Sequence, residues 1–366
     1  MPPLNITCSI CQTPATVLEW CCHRCGSPLE IDNLPAFDAA KINTADWSLW
    51  RYGAMLPVTQ HITLGEGMTP LVNTSVEGVN FRAKLDYLNP TGSYKDRGTT
   101  VLINGLLTEG VRKVVEDSSG NAGSSIAMFA SLAGMRARIF TPAGAPGIKK
   151  KQIGMAADLV EISGAKINVS NAVREAATAP GVVYASHSWN PLFIAGQMTL
   201  AWEIWEQNGR KAPGAIATPV GMGCLLLGLY RGFKALHDAG LIERVPMIFA
   251  VQAAASDPIV QAWEQGLEDT PTIETQKTVA DGIVIAKPVR SKAVLQAIRD
   301  SGGAAFRVEE SAILPTRNQM AKQGLLVEPT SATTVAALPQ IRQRYDRNDL
   351  VVILTGNGLK TMDVGN

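Results

Sequence analysis

From about residue 80 to the end of the chain, short β-rich runs alternate with helical patterns. The runs rich in β-branched residues predict strands at 112–116, 137–141, 159–162, 182–185, 215–219, 247–252, 305–308 and 350–354. The helical patterns between them lie at 124–133, 169–177, 225–239, 293–301, 315–323 and 332–345. This alternation is typical of helices on the faces of parallel sheets, so we expect an α/β fold with two open, mostly parallel twisted-sheet domains. A site is expected in the crevice between them, at the carboxyl ends of strands.

Length and charge narrow the class of protein. The 366 residues are enough for two or three domains, and a hydrophobic content of 46% supplies their cores. The 33 basic residues nearly balance the 32 acidic residues, so we expect a small-molecule partner and no nucleic acid or anionic membrane. No apolar run approaches the roughly 18 residues that span a bilayer, and no signal-peptide pattern is present, which predicts a soluble cytoplasmic protein.

Five of the six cysteines lie within residues 8–25, unlike the disulfide framework of a secreted domain. Two C-x-x-C pairs offer four thiolates that can hold Zn²⁺ tetrahedrally, and about thirty residues cannot otherwise bury a core. The predicted metal ligands are Cys8, Cys11, Cys22 and Cys25. Four protein ligands leave no position for substrate, so the role would be structural. The alternative is a cysteine cluster without metal, because Cys21 and His23 make the ligand set ambiguous.

A lysine stands where a turn becomes a helical run. Residues 89–98 read NPTGSYKDRG, and Lys95 begins the helical pattern. The positive end of a helix dipole favours the neutral amine of a lysine in the first turn, which suits a lysine that forms a Schiff base. The other interpretation is a solvated lysine beside Asp96.

Three further motifs join strands to helices or follow the last strand. Residues 118–123 read SSGNAG and 220–225 read VGMGCL, each at a helix start where backbone N–H groups can hold an anion. The strand after the second motif has no acidic residue at its end, which counts against a dinucleotide. Residues 354–360 read LTGNGLK, and the hydroxyl of Thr355 can hydrogen-bond a pyridine nitrogen. Taken singly, each motif is also consistent with a helix cap or a glycine turn.

In this order and spacing, the motifs resemble the fold-type II pyridoxal-5′-phosphate (PLP) enzymes and, within them, the threonine synthases. The stretches that carry the resemblance are LGEGMTPL at 64–71, LNPTGSYKDRG at 88–98, SSGNAG at 118–123, EPTSA at 328–332 and LTGNGLK at 354–360. It covers most of residues 60–360. The N-terminal cysteine pairs also resemble those of some threonine synthases.

The resemblance implies a role for each matching residue. Lys95 would hold PLP as a Schiff base and move the Cα proton of the substrate. Asn121 would hydrogen-bond the phenolic oxygen of PLP, and Thr355 would face its pyridine nitrogen. The phosphate of PLP would be held by Gly221, Met222, Gly223, Cys224 and Leu225. The substrate would be held by Ser118, Ser119, Gly120, Asn121, Ala122 and Ser188.

The same resemblance implies the domain organisation. It predicts a zinc-ribbon-like module, an N-terminal arm with the first part of the large domain, a small α/β domain and a large PLP-binding α/β domain, at residues 1–33, 34–80, 81–190 and 191–366. Enzymes of this group are usually homodimers, so a homodimer that acts on an amino acid is expected.

One stretch departs from the family pattern. Similar threonine synthases carry N-S-x-N-P-x-R, whose arginine grips the phosphate of O-phosphohomoserine, whereas residues 187–193 read HSWNPLF, with Phe193 in place of the arginine. Loss of such a charge-assisted contact costs about 1.5–3 kcal/mol. The leading hypothesis is a lyase that converts O-phospho-L-homoserine and water to L-threonine and phosphate. The alternative is PLP-dependent β-replacement or β-elimination on another amino acid. A homologue without catalysis fits poorly, because Lys95 and every cofactor motif are intact.

Overall fold

The computed structural model describes residues 3–144, 147–164 and 166–362. Within them the strands are β1 Ile6–Cys8, β2 Pro14–Ala15, β3 Leu29–Ile31, β4 Leu71–Val76, β5 Val79–Lys84, β6 Lys113–Glu116, β7 Arg136–Pro142, β8 Asp158–Ile162, β9 Val182–Tyr184, β10 Ala215–Pro219, β11 Met247–Ala253, β12 Ala304–Val308 and β13 Leu350–Ile353. The helices are α1 Lys95–Thr108, α2 Asn121–Leu132, α3 Gly147–Gly154, α4 Lys166–Ala176, α5 Pro191–Gln207, α6 Cys224–Asp238, α7 Pro258–Glu264, α8 Ser291–Asp300, α9 Glu310–Lys322, α10 Pro329–Ala336 and α11 Leu338–Arg344. No helix among the described residues is long and apolar enough to cross a membrane.

The predicted α/β alternation is confirmed, and most predicted elements agree with the structure within a few residues. The strand predicted at 215–219 coincides with β10. The single helix predicted at 332–345 is wrong, because the chain forms α10 and α11 with a break at Ala337. Pro339 in the first turn of α11 explains the break, since proline lacks a backbone N–H and its ring clashes with the preceding helical turn.

The first of two compact units consists of residues 1–67 and 95–196. Its main sheet is parallel throughout, in the order β8-β7-β6-β9. Parallel strands end at the same edge of a sheet, so the residues that follow the neighbouring strands β6 and β9 are brought together. Helices α1 and α2 are joined by a buried hydrogen bond of 2.6 Å, which Ser125 Oγ donates to Asp96 Oδ1.

Helix α5 packs closely against α1 within this first unit. A Cβ atom at Gly98 would lie 2.6–2.7 Å from atoms of the Phe193 ring, and one at Gly196 would overlap the carbonyl oxygen of Arg97. Glycine at both positions therefore lets the two helices approach. The close approach fixes the Phe193 ring against the first turn of α1, which begins at Lys95.

The cysteine-rich N-terminus belongs to the same unit. It forms a small antiparallel sheet in the order β2-β1-β3. Trp20 lies edge-on to Trp189 with 5.1 Å between ring centroids, and Asn190 Nδ2 donates a 3.0 Å hydrogen bond to the Val17 carbonyl. The N-terminal segment thus contacts the stretch that leads from β9 into α5.

The second unit consists of residues 68–94 and 197–366. Its six-stranded sheet has the order β12-β11-β10-β13-β5-β4, with every pair parallel except the hairpin β4–β5 at the edge. Lys84 at the end of β5 is completely buried, and its Nζ pairs with the carboxylate of Glu203 and donates a 2.8 Å hydrogen bond to Gln207 Oε1. A buried ammonium needs such partners because an unpaired charge is costly to bury.

Candidate active site

The predicted cofactor and substrate residues are divided between the two units. The first unit contains Lys95, residues 118–122 and Ser188. The second unit contains residues 221–225 and Thr355. Residues 118–122 and 221–225 lie where strands give way to helices, Thr355 follows a strand, and Lys95 begins a helix after a turn, as the sequence predicted.

Lys95 is the first residue of α1 and is half-buried. Its Nζ lies 5.6 Å from the centroid of the Phe193 ring, and that ring has no exposed surface. An amine this close to an aromatic ring gains an electrostatic contact with the ring face when protonated. The surroundings of Lys95 therefore include an apolar wall formed by the Phe193 ring.

Residues 118–122 form the turn from β6 into α2. Ser118 Oγ accepts a 3.2 Å hydrogen bond from the Gly120 backbone N–H, and Gly120 precedes the first helical residue, Asn121. A Cβ atom at Gly123 would overlap the Ser118 carbonyl oxygen, so only glycine permits this tight entry. No side chain among the described residues caps α2. The backbone N–H groups of its first turn therefore suit an anion such as a carboxylate.

Ser188 is the last member of a hydrogen-bonded series of three buried or half-buried side chains. His187 Nε2 lies 3.1 Å from Ser188 Oγ, and His187 Nδ1 lies 2.6 Å from Glu116 Oε1. Burial raises the pKa of Glu116 well above its usual value, and the charge of Asp117 adds to this effect. The Lys95 ammonium and a hydrogen bond from the His187 backbone N–H oppose it.

Glu116 was not among the site residues predicted from the sequence. It is the last residue of β6, and His187 follows β9, the strand paired with β6 in parallel. An acidic residue at the end of an apolar strand was the visible sign. The residue that it contacts could be identified only once the pairing of β6 with β9 was known.

In the second unit, residues 221–225 form the turn from β10 into α6. Gly223 has φ +85°, in the left-handed region, and a Cβ atom there would overlap Val294 Cγ2. No described side chain caps α6, which begins at Cys224. The turn carries no charged residue, so it suits a phosphate that is held by backbone N–H groups and the helix dipole.

Thr355 follows β13 and is oriented by Ser331 of α10, a residue to which the sequence analysis gave no role. Ser331 Oγ accepts hydrogen bonds from the backbone N–H groups of Thr355 at 2.8 Å and Gly356 at 3.1 Å. The two hydroxyls lie 3.0 Å apart. With both lone pairs of Ser331 Oγ engaged, its hydrogen points to Thr355 Oγ1, and the Thr355 hydroxyl can donate to a further acceptor. The EPTSA motif that contains Ser331 was the available sign.

The four predicted metal ligands lie together, with all four Sγ atoms within 4.8 Å of one another. The Sγ atoms of Cys8 and Cys11 each lie 3.4 Å from the Sγ atom of Cys25, and those of Cys11 and Cys22 lie 3.6 Å apart. Tetrahedral Zn–S bonds of about 2.3 Å would place the sulfurs about 3.8 Å apart, close to these distances. The group is formed by Cys8, Cys11, Cys22 and Cys25 without Cys21 or His23, whose Nδ1 lies 3.0 Å from Glu19 Oε1.

Comparisons with known proteins show the family of the chain. A family model described as pyridoxal-phosphate dependent enzyme matches residues 62–356. Threonine synthase from Methanosarcina acetivorans is 33% identical over 359 residues, which cover 93% of this chain and 87% of the relative. Threonine synthase from Methanocaldococcus jannaschii is 31% identical over 359 residues, covering 93% and 88%.

Solved structures share the fold. The crystal structure of a threonine deaminase from T.th. has a TM-score of 0.67 and 26% identity, and the match covers 79% of this chain and 92% of that chain. Maize serine racemase has a TM-score of 0.68 and 21% identity, with 79% and 88% covered. These matches confirm the α/β fold with mixed and parallel sheets.

Proposed function

This chain belongs to the pyridoxal-phosphate dependent enzyme family and is threonine synthase-like within it, and on this basis we propose that it converts O-phospho-L-homoserine and water to L-threonine and phosphate. The observation that carries the proposal is Lys95 at the start of α1, inside the region that matches the family. When bound, PLP supplies an electron sink for negative charge at the substrate Cα. The residues of the chain bind, orient and move protons around it.

We assign the cofactor contacts as follows. Lys95 holds PLP as a Schiff base and takes the proton from the substrate Cα. The left-handed Gly223 and the uncapped start of α6 support binding of the PLP phosphate by residues 221–225. Donation from the Thr355 hydroxyl to the pyridine nitrogen is supported by Ser331, which orients that hydroxyl. A neutral donor of this kind leaves the nitrogen unprotonated.

The substrate contacts follow the same reasoning. The backbone of residues 118–122 binds the substrate carboxylate, a role supported by the tight turn at Gly123 and the uncapped start of α2. Asn121 hydrogen-bonds the phenolic oxygen of PLP, and it stands at the first position of that helix. Ser188 contacts the substrate side chain.

The N-terminal module is proposed as a zinc ribbon with a structural role. The sulfur spacing fits tetrahedral zinc, and all four positions would be taken by protein ligands. We further propose a cytoplasmic homodimer, since a reducing compartment keeps such thiols available for metal and enzymes of this group are usually homodimers. Light scattering of the purified protein would test the homodimer.

One observation favours a second candidate function. Phe193 is completely buried, and its ring lies 5.6 Å from Lys95 Nζ and 5.9 Å from the His187 ring. A phosphate dianion against this ring would lose hydration without gaining a matching charge, which is costly. The second candidate is therefore β-replacement or β-elimination on an amino acid with a less charged side chain.

A substrate panel separates the two candidates. Holoenzyme is mixed in turn with O-phospho-L-homoserine, L-threonine and L-serine, while the cofactor absorbance and the products are followed. Equal amounts of threonine and phosphate, formed at a kcat/KM of about 10⁴ M⁻¹s⁻¹ or more, support threonine synthesis. Turnover of an uncharged amino acid without turnover of phosphohomoserine would reject it in favour of the second candidate.

A further inference from the structure

Three side chains of the first unit form a hydrogen-bonded series, in the order Glu116, His187 and Ser188. Glu116 is completely buried, and its Oε1 lies 2.6 Å from His187 Nδ1. The imidazole side chain is 15% exposed, and its Nε2 lies 3.1 Å from Ser188 Oγ. The series therefore connects a buried carboxyl group, an imidazole and the hydroxyl that is assigned to the substrate.

The environment of Glu116 determines where its proton lies. Its second oxygen, Oε2, is buried and accepts no hydrogen bond from the residues that the structure describes. A buried carboxylate with one unsatisfied oxygen is costly, so the neutral acid is the stable form. The acid then donates to His187 Nδ1, which leaves the imidazole hydrogen on Nε2, directed at Ser188 Oγ. The raised pKa of Glu116, caused first by burial, agrees with this arrangement.

The series also lies near the proposed Schiff-base lysine. The Phe193 ring is 5.6 Å from Lys95 Nζ and 5.9 Å from the His187 ring, so the lysine and the imidazole contact the same aromatic side chain. The charge of Lys95 also stabilises the ionised form of Glu116.

We propose that Glu116, His187 and Ser188 form a proton relay that protonates the oxygen leaving the substrate side chain. The proposal rests on the proposed function, because it takes Lys95 and Ser188 as active-site residues. Glu116 and His187 act through Ser188 and are positioning residues. The relay would be a second proton path beside that of Lys95.

The step balances in atoms and charge. The C–O bond of the substrate side chain breaks with its electron pair on the oxygen, and this oxygen takes the hydroxyl proton of Ser188. Ser188 Oγ takes the proton from His187 Nε2, and His187 Nδ1 takes the proton from Glu116. The carboxylate left on Glu116 is matched by the Lys95 ammonium, which holds the proton taken from Cα. After the product leaves, Lys95 releases the Cα proton to solvent and Glu116 takes one proton from solvent, so both groups return to their starting charge.

The relay discriminates between leaving groups. A phosphate monoester group has a second pKa of about 6 and leaves readily without a proton donor. Hydroxide is far more basic, since bulk water has a pKa of about 15.7, and its departure depends on a general acid. We therefore expect the relay to matter more for a substrate with a hydroxyl leaving group than for O-phospho-L-homoserine.

Kinetics of the holoenzyme test the relay. The kcat and KM for O-phospho-L-homoserine and for L-threonine are measured in wild type, Glu116→Gln and His187→Asn. A glutamine amide still donates to His187 Nδ1 but has no proton to transfer, so kcat should fall about 100-fold with L-threonine, and less with phosphohomoserine, while KM and cofactor absorbance stay near wild type. Retention of wild-type kcat by Glu116→Gln on each substrate that wild type converts would overturn the relay.

The matched control is His61→Asn. His61 belongs to the same unit, and its Nε2 lies 3.1 Å from the hydroxyl of Thr108, so the same substitution removes a similar hydrogen bond. It should leave kcat unchanged. A comparable fall in kcat in His61→Asn would show that loss of any imidazole–hydroxyl contact slows the enzyme, and would also reject the relay.

A spectroscopic measurement decides the relay independently of turnover. Nitrogen NMR of histidine-labelled holoenzyme reports the protonation of each ring nitrogen, and the His187 signals are assigned by their loss in His187→Asn. The relay requires a neutral His187 with hydrogen on Nε2 at neutral pH. An imidazolium, or hydrogen on Nδ1 alone, would overturn it. If wild type converted none of the tested substrates, the proposed function would fail while this measurement still decided the relay.

Discussion

The turn after β9 and the turn after β10 both lead from a parallel strand into a long helix, yet they are built from different groups. After β9, His187 and Ser188 make contacts from side chain to side chain. After β10, Gly221 and Gly223 offer backbone, and no charged side chain takes part. In a turn that binds through its backbone, the steric limits on its glycines preserve the binding groups. In a turn that binds through side chains, each substitution of such a side chain changes the groups that a ligand meets. The difference explains why the cofactor is easier to assign than the substrate.

The largest effect is expected in the backbone-built turn, from Gly223→Ala. The added Cβ would overlap Val294 Cγ2. The alanine backbone must also adopt a left-handed conformation, which alone costs about 1–2 kcal/mol. We expect PLP affinity to fall at least about tenfold, which corresponds to 1.4 kcal/mol. Equilibrium dialysis of PLP measures this. The control is Gly240→Ala, since Gly240 has φ +69° but nothing within 4 Å of an added Cβ. Equal loss of PLP in both variants would contradict a role for the turn.

The surroundings of the side-chain-built turn are tested by Phe193→Arg, in the first turn of the helix α5 that follows it. An arginine there would supply the positive charge that the family pattern predicts for the substrate phosphate, so KM for O-phospho-L-homoserine should fall about tenfold. Thermal stability should also fall, because the buried ring packs against Gly98. Phe193→Leu is the control: its thermal stability should fall, but its KM for O-phospho-L-homoserine should not. An unchanged KM in Phe193→Arg would mean that the substrate phosphate binds elsewhere.

Zinc removal should affect only one of the two turns. Trp20 and Val17 of the cysteine-rich segment contact Trp189 and Asn190, so loss of metal should raise KM a few-fold through the turn after β9 and leave PLP affinity intact. Elemental analysis should find about one zinc per chain, which Cys8→Ser removes. Cys21→Ser is the matched control, because Cys21 lies outside the four-cysteine group. Loss of kcat on chelation, with PLP and fold retained, would contradict a structural role.

The smallest effect concerns stability against pH. Burial raises the pKa of Glu116 well above 4.5, so the folded protein holds this proton more tightly than the unfolded chain. The contribution of this proton to the free energy of unfolding is fully present below about pH 4.5, the usual pKa of a glutamate. It is lost as the pH rises through the folded-state pKa of Glu116. Glu116→Gln is neutral at every pH, so its unfolding free energy in urea should decline less with rising pH. The exposed Glu109→Gln should follow wild type. If the unfolding free energy of Glu116→Gln declined with rising pH as steeply as that of wild type, Glu116 would be ionised in the folded protein.

Local patterns in the sequence predicted the elements and the motifs well. The apolar run 215–219 was enough to locate β10, because its side chains are buried on both faces. Gly223 was readable because its left-handed backbone and the overlap of an added Cβ with Val294 Cγ2 both select glycine. The hairpin β4–β5 was missed, although Glu77 and Gly78 both have the positive φ of a tight hairpin turn.

Contacts between distant segments could not be predicted in the same way. β13 lies between β10 and β5, an order that depends on packing across the whole sheet. The contact of Glu116 with His187 depends on the pairing of β6 with β9, which no local pattern specifies. For the same reason the sequence analysis gave no role to Ser331, whose contact with Thr355 joins a helix to the end of a strand.

The central claim is that Lys95 holds the cofactor, and one measurement tests it directly. Borohydride reduces the Schiff base of the purified holoenzyme to a stable amine, and peptide mapping then locates the pyridoxyl label. The label should lie on Lys95, and Lys95→Ala should show neither label nor turnover. A pyridoxyl group on any other lysine of wild type would contradict the assignment of the whole site.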